Sequence, residues 1–420
     1  MLMNLEKITE DFENKLTSEK FDLTSESDSN KAEYLSSLLY ENGKNSNELR
    51  ELEKKTSKIL SKYSLFTHSA VKTALSKKIL SEIKKNIHFT IVFAVYKEHN
   101  RILTRREHPH GENFLIRKIK QIEDLTGDFS NITWDMLVVD DGCPESSGKI
   151  AEEVLKKEYS GNNVKVLYLQ DAINEKLKVA EGLKTTDDSR KGGSILYGMW
   201  YASQQNRNRN HIICYTDADL STHLGQLGLL AEPIIKENMY AAIGSRREDR
   251  SVVIKQGTRN SRGKLFIYLW KRMIKRLNYI TDTQCGFKAF RSEIIPDLVL
   301  NNIEKKFAFD IELLIKTDIL KRESIAKVPI AWIDSEAEST TTDLQPYTDM
   351  LKSIAQMYFK YLTANAVSHS FAYFVKSLNQ EKWDILVSKV PEGILIKSAI
   401  HYDMYDEIKV STFEKILEEN

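Results

Sequence analysis

Two carboxylates with one small residue between them close a short apolar run in this chain, Ile212-Ile213-Cys214-Tyr215-Thr216-Asp217-Ala218-Asp219. If the run is a buried strand, it delivers Asp217 and Asp219 at a carboxyl end, where open α/β sheets bind ligands. Carboxylates spaced this way suit a hard divalent cation such as Mg²⁺, which keeps some waters and shares its other positions with substrate phosphates. A solvated turn is the competing reading of the tripeptide alone. A second pair, Asp140-Asp141, ends the run Met136-Leu137-Val138-Val139 and precedes Gly142, which suits a tight turn. A carboxylate there accepts hydrogen bonds from a nucleobase N–H or ribose hydroxyls, or else opens the turn and caps the helix near Ser147. Arg190-Lys191-Gly192-Gly193-Ser194 precedes a helical pattern. Backbone N–H groups at a glycine-rich helix start, with two cations beside them, favour an anion.

These residues need a scaffold, and its signals run from residue 87 onward. Phe89 to Val95 is a β-branched and aromatic run, as expected of a buried parallel strand. Met136–Val139, Val164–Leu169, Ile212–Tyr215 and Tyr240–Ile243 read as further strands, separated by helical patterns such as Gly148–Lys157 and Ser194–Ser203. The alternation predicts an α/β fold with a mostly parallel central sheet and helices on both faces. Residues 1–85 read as a polar helical extension. Leu5, Ile8, Phe12 and Leu16 share one face, Leu35, Leu38 and Leu39 another, and Leu49, Leu52, Ile59 and Leu60 a third. Thr24 to Asn30 reads as a loop or helix cap, and packing rather than chemistry is expected of the extension. Residues 86–335 form the central domain. Residues 336–420 read as a mostly helical extension with short strands and no assignable chemistry.

With 41% hydrophobic and 29% charged residues among 420, the chain can bury a large core. A net charge of +1 supplies no field to recruit nucleic acid, so none is expected as a partner. Cys143, Cys214 and Cys285 lack metal-ligand spacing, which predicts reduced thiols in a cytoplasmic protein. No apolar run reaches the roughly 18 residues needed to span a bilayer, and the acidic start does not read as a secretory signal.

Taken in order, the motifs resemble the family 2 glycosyltransferases, which have the GT-A nucleotide-sugar fold. Val139-Asp140-Asp141-Gly142, Lys191-Gly192-Gly193 and Asp217-Ala218-Asp219 carry the likeness. Asp282-Thr283-Gln284-Cys285-Gly286-Phe287-Lys288-Ala289-Phe290, Phe307 to Leu314 and Val328 to Trp332 bring it close to the dolichyl-phosphate glucosyltransferase and polyprenyl-phosphate hexosyltransferase branch. The resemblance implies a nucleoside diphosphate sugar donor, UDP-glucose first and GDP-mannose second, with inversion at the anomeric carbon. It implies that Ala94, Tyr96 and Glu98, at the end of the first strand, line the donor with Asp140, Asp141, Lys191, Gly192, Asp217 and Arg246. Asp217 and Asp219 would hold Mg²⁺ or Mn²⁺, which stabilises the departing diphosphate. Ala94 and Lys97 depart from the family's proline and asparagine, and Leu220-Ser221-Thr222-His223 also departs, which leaves the acceptor open. The histidines of Glu107 to Asn113 read as a solvated loop.

A hydroxyl acceptor needs a general base, for which Asp282 stands first and Asp310 second, whereas a phosphate acceptor is already ionised and needs only positioning. Arg246, Arg247 and Arg250 either clamp an anion or are solvated. Arg262 to Leu277 carries Leu265, Phe266, Leu269, Trp270, Met273, Ile274 and Leu277 on one helical face, with Lys264, Lys271, Arg272, Lys275 and Arg276 beside it. That pattern describes a helix packed on the sheet with a basic edge, or peripheral contact with a membrane. The expectation is a metal-dependent hexosyltransferase whose acceptor is a small molecule, a glycan or a polyprenyl phosphate. A peripheral polyprenyl-phosphate enzyme and a non-catalytic nucleotide-sugar-binding scaffold are the alternatives, and homo-oligomerisation is left open.

Overall fold

The computed structural model describes residues 4–16, 21–22, 25–59, 62–205, 210–254, 260–333, 347–404 and 408–419. Seven strands form one sheet: β1 (Ile87–Val95), β2 (Ile132–Asp140), β3 (Val164–Tyr168), β4 (Asn210–Thr216), β5 (Ala241–Ser245), β7 (Phe287–Arg291) and β8 (Ile325–Pro329). Their order is β3-β2-β1-β4-β7-β5-β8. β1 pairs in parallel with β2, Val95 opposite Asp140, and with β4, Val92 opposite Tyr215. β7 alone runs antiparallel, between β4 and β5. β6 (Val252–Ile254) and β9 (Ala331–Ile333) make a separate parallel pair. The mostly parallel α/β sheet expected from the sequence is present. The antiparallel strand inside it is new, because Phe287 to Arg291 had drawn notice as a motif and not as a strand.

Both faces of the sheet are covered, as parallel strands require. On β1 the side chains alternate: Phe89, Ile91, Phe93 and Val95 join one core, and Val92 joins the other. The first core is closed by the N-terminal helices α1 (Leu5–Glu13), α2 (Glu26–Asn42), α3 (Ser46–Lys58) and α4 (Leu65–Glu82), whose Leu35, Leu39, Leu49, Leu75 and Ile79 are buried in it. The helical extension therefore shares its core with the sheet. Asn4, Ser25, Asn45 and Ser64 cap the four helices, each accepting from a backbone N–H in the first turn. Ser25 thus gives the polar stretch its role, while Thr24 lies outside the described residues. Ile59, expected inward, is exposed beyond the end of α3, and Leu60 lies outside the described residues.

The second core holds the helices Gly192–Ser203, Asn260–Met273 and Phe309–Leu320 and the C-terminal helices from Tyr347 onward. No strand follows β9 among the described residues, contrary to the short strands expected there. The basic amphipathic helix is not an interfacial one. Leu265 to Ile274 are buried throughout, including Lys271 and Arg272. Lys271 Nζ donates to the Asn278 carbonyl at 2.8 Å, and the Tyr268 hydroxyl donates to the Ile408 carbonyl at 2.9 Å. The apolar face of residues 262–277 is thus packed into the core, as the helix-on-sheet reading expects. Among the described residues no helix is long and apolar enough to cross one.

Candidate active site

Because β1, β2 and β4 are parallel neighbours, the segments that follow them emerge at one edge. This brings Glu98, Asp140–Asp141 and Asp217–Asp219 together. Arg246 follows β5 and Gly286 precedes the antiparallel β7, so both reach the same edge. Lys191 joins them from the start of the helix Gly192–Ser203.

Asp217 is the centre of the cluster. Its N–H donates to the Gly286 carbonyl at 3.1 Å, and its Oδ1 accepts from Lys191 Nζ. Burial works against its charge, but Lys191, and beyond it Arg246 and Lys288, outweigh this and hold the carboxyl below its ordinary range. A Cβ on Gly286 would lie 2.3 Å from Asp217 Oδ2, so glycine there leaves the carboxylate its seat. Asp219 Oδ1 accepts from Ser221 N at 3.0 Å and Ser221 Oγ at 2.5 Å. The described residues contain no group of three or more His, Cys, Asp or Glu fit to hold a metal. A two-carboxylate seat with half-buried oxygens still fits a cation that takes its remaining ligands from a diphosphate and water.

The other expected residues separate into those that face the site and those that build it. Asp140 is consumed by its own turn, with Oδ1 accepting from the Gly142 and Cys143 N–H groups at 2.9 Å and Oδ2 from Gly148 N at 2.7 Å. This is the turn-opening and helix-capping role that the sequence left open for it. Gly142 takes φ +74°, and a Cβ there would strike Thr186. Asp141 pins the next loop, accepting from Lys191 N at 2.8 Å and Ser194 Oγ at 2.7 Å; burial raises its carboxyl against those bonds. At the glycine-rich helix start, Gly193 N–H is already bonded to the Lys305 carbonyl at 2.8 Å. A Cβ on Gly192 would lie 2.5 Å from the Lys306 carbonyl. The Lys191 and Gly193 N–H groups are thus bonded within the protein, and the loop sends the Lys191 side chain into the site.

Asp282 is buried against Arg246 in a two-point pair, Nε to Oδ2 and Nη2 to Oδ1 both at 2.8 Å, with the Arg246 N–H adding a third bond at 2.8 Å. Burial alone would raise its carboxyl, but Arg246 carries it far below the ordinary range. A carboxylate so occupied is poorly suited to take a proton. It fixes Arg246, whose guanidinium also lies 5.2 Å from the Trp332 ring. Asp310 is buried beneath the site, where Oδ1 accepts from Lys288 Nζ at 2.6 Å and from the Tyr215 hydroxyl. It too is a hub of structure more than a base.

Ala94 and Tyr96 are half-buried at the end of β1. Glu98 is bonded to Arg101 at 2.9 Å, and Arg101 also grips Glu112 with two 3.0 Å bonds. Burial raises the Glu98 carboxyl to about 7, Arg101 opposing and Asp219 and Glu112 adding to it. The histidines before Glu112 lie in a loop, as expected; Glu112 belongs to the same loop but is buried rather than solvated. Sequence reading missed Arg101 and Lys288. A lysine inside the apolar strand Phe287–Arg291 was the available signal for the second.

No protein-family model matches the chain. Over 259 residues it is 27% identical to a dolichyl-phosphate beta-glucosyltransferase of Trichomonas vaginalis, which is 60% of this chain and 68% of the relative. It is 25% identical over 291 residues to the dolichyl-phosphate beta-glucosyltransferase of Dictyostelium discoideum, 66% of this chain and 76% of the relative. This chain is a distant homologue of the dolichyl-phosphate beta-glucosyltransferases. The human glucosyltransferase is 27% identical over 239 residues, and there the match spans 55% of this homologue and 65% of the human chain. Among solved structures, glucosyl-3-phosphoglycerate synthase of Mycobacterium tuberculosis, bound to Mn²⁺, UDP-glucose and phosphoglyceric acid, superposes with a TM-score of 0.46. The identity there is 14%, over 69% of this homologue and 84% of that chain.

Proposed function

We propose that this glucosyltransferase homologue transfers a hexose from a nucleoside diphosphate sugar, UDP-glucose first, with a divalent cation at Asp217 and Asp219 and with inversion. The observation that carries the reading is the meeting of Asp217, Asp219, Lys191 and Arg246 at the carboxyl edge of a mostly parallel sheet. Breaking the anomeric C–O bond leaves a nucleoside diphosphate, so the site must stabilise growing negative charge. A cation bound there would supply Lewis-acid stabilisation of that leaving group. Lys191 and Arg246 supply fixed positive charge beside it. Ala94, Tyr96 and Glu98 border the donor from β1, and Asp141 holds the Lys191 loop in place.

A phosphate acceptor is favoured over a hydroxyl. Asp282 and Asp310 are both committed to cations, so neither is free to deprotonate an alcohol. An ionised phosphate needs no base. The Arg247 guanidinium has no hydrogen bond or ion pair among the described residues and follows Arg246 directly, where it can meet that anion. Polyprenyl phosphate is the acceptor of this class that the relatives' names point to.

Release of nucleoside diphosphate from UDP-glucose and GDP-mannose, with Mg²⁺ or Mn²⁺ and with polyprenyl phosphate or a sugar alcohol as acceptor, tests the reading. Metal-dependent release of UDP with the phosphate acceptor is expected, lowered on the order of 100-fold or more in Asp217→Asn, since Lewis-acid stabilisation is worth several kcal/mol. Donor binding without turnover under any acceptor would put a nucleotide-sugar-binding scaffold in its place.

A further inference from the structure

Lys191 has an unusual backbone for the residue it is. Its φ is +72° with ψ −46°, a region costly for any side chain, and the next two residues are glycines that adopt such angles freely. Lysine here bears strain that glycine would relieve, so the side chain is what this position supplies. That side chain reaches across the site to Asp217 Oδ1, while the Lys191 N–H is fixed to Asp141 Oδ2 at 2.8 Å. Both partners of the ion pair stay about a third exposed, at 32% and 31%. The ammonium therefore occupies one oxygen of a carboxylate that would help to hold a divalent cation.

We infer that Lys191 is a placeholder for the divalent cation: it competes with the metal for Asp217 and moves to the donor diphosphate when that anion arrives, opening Asp217 to the metal. The inference rests on the functional reading above and adds an order to it. Cation and ammonium compete for one carboxylate, so the metal alone binds weakly. A diphosphate draws Lys191 away by offering a doubly charged partner. Nucleotide and metal then promote each other's binding, and by linkage each raises the other's affinity by the same factor. Among the described residues, Asp219 Oδ1 accepts hydrogen bonds from Ser221 and from no cation. Arg246 cannot replace Lys191 on Asp217, being held at three points by Asp282.

The test reads metal binding rather than turnover. Free Mn²⁺ is titrated by its electron paramagnetic resonance signal into the full-length wild type, Lys191→Met and Lys191→Gly, each with and without UDP. Lys191→Gly suits the positive φ, so it keeps a folded control in hand if the methionine variant fails to fold. In the wild type, UDP should tighten Mn²⁺ by about tenfold, within the usual span of coupled sites. Without UDP, both variants should bind Mn²⁺ at least about threefold more tightly than the wild type, bind UDP alone more weakly, and lose most of the coupling. Removing a positive charge from an anion-binding site and finding tighter metal is the distinctive result. Equal or weaker Mn²⁺ binding by folded variants overturns the placeholder and leaves the glycosyltransferase reading standing. A wild type that binds neither UDP nor Mn²⁺ overturns both.

Discussion

At Glu98 a carboxylate is held between one arginine and two further acids. Burial dominates, and the acid's pKa rises to about 7 from an ordinary 4.5 despite Arg101, with Asp219 and Glu112 adding to the rise. The folded protein therefore keeps a proton there at pH values where the unfolded chain has lost it. Between about 4.5 and 7 the native state binds more protons, so this residue's contribution to stability is complete at low pH and falls as pH rises. Glu98→Gln removes the titration. Its urea stability relative to wild type should climb by about 1–3 kcal/mol from pH 5 to pH 8, and a difference that stays flat over that range would refute the assignment. Residue types were legible at this scale, but their partners were not. Asp217, Asp219 and Lys191 stood out because parallel strands must deliver them to one edge. Asp140 looked identical to Asp141 in sequence. Only the fold shows that three backbone N–H groups occupy it, and only the fold puts Arg246 on Asp282.

The elements were read best where periodicity is unambiguous. β1, β2 and β4 are apolar runs bounded by turn residues, and they appear with their ends shifted by a few residues at most. β7 was hidden because Phe287-Lys288-Ala289-Phe290 mixes a buried lysine into an apolar strand, and that lysine's partner Asp310 comes 22 residues later. The helix Asn260–Met273 was ambiguous for a similar reason, since its basic edge is satisfied by carbonyls no local pattern reveals. Packing between elements is close where the N-terminal helices meet the domain. Gly228, in the helix Leu227–Lys236, donates its N–H to Ser76 Oγ of α4 at 2.8 Å, and a Cβ there would stand 2.4 Å from the Ser76 carbonyl. Gly228→Ala must push α4 off the domain, and we expect a loss of about 1–3 kcal/mol in denaturant unfolding. An unchanged unfolding midpoint would mean that the α4 contact is looser than described.

Across the whole molecule, the N-terminal helices are tied to the arginine-bearing loop by one buried acid. Glu53 of α3 accepts from Lys72 Nζ of α4 and, at 2.7 Å, from Arg250 Nη1, while Lys72 also donates to the Pro329 carbonyl at 2.9 Å. Nothing in the sequence marks Glu53 as buried, since its partner Arg250 is 197 residues away. Glu53→Ala would strand two cations, one of them wholly buried, and should cost about 3–5 kcal/mol. Urea unfolding measures it, and a cost below about 1 kcal/mol, the range of an exposed pair, would contradict the buried arrangement. The antiparallel β7 carries a different consequence, for how the chain is made. Asp217 donates to the Gly286 carbonyl, so the carboxylate's seat is finished by residues synthesised about seventy positions later. At ordinary translation speeds of roughly 5–20 residues per second, the open side of β4 waits several seconds on the ribosome for its neighbour. An unpaired apolar edge is a template for any other strand. The interval between residues 217 and 291 is therefore when a nascent chain is most exposed to mispairing, and when a chaperone would matter most to the yield of active protein.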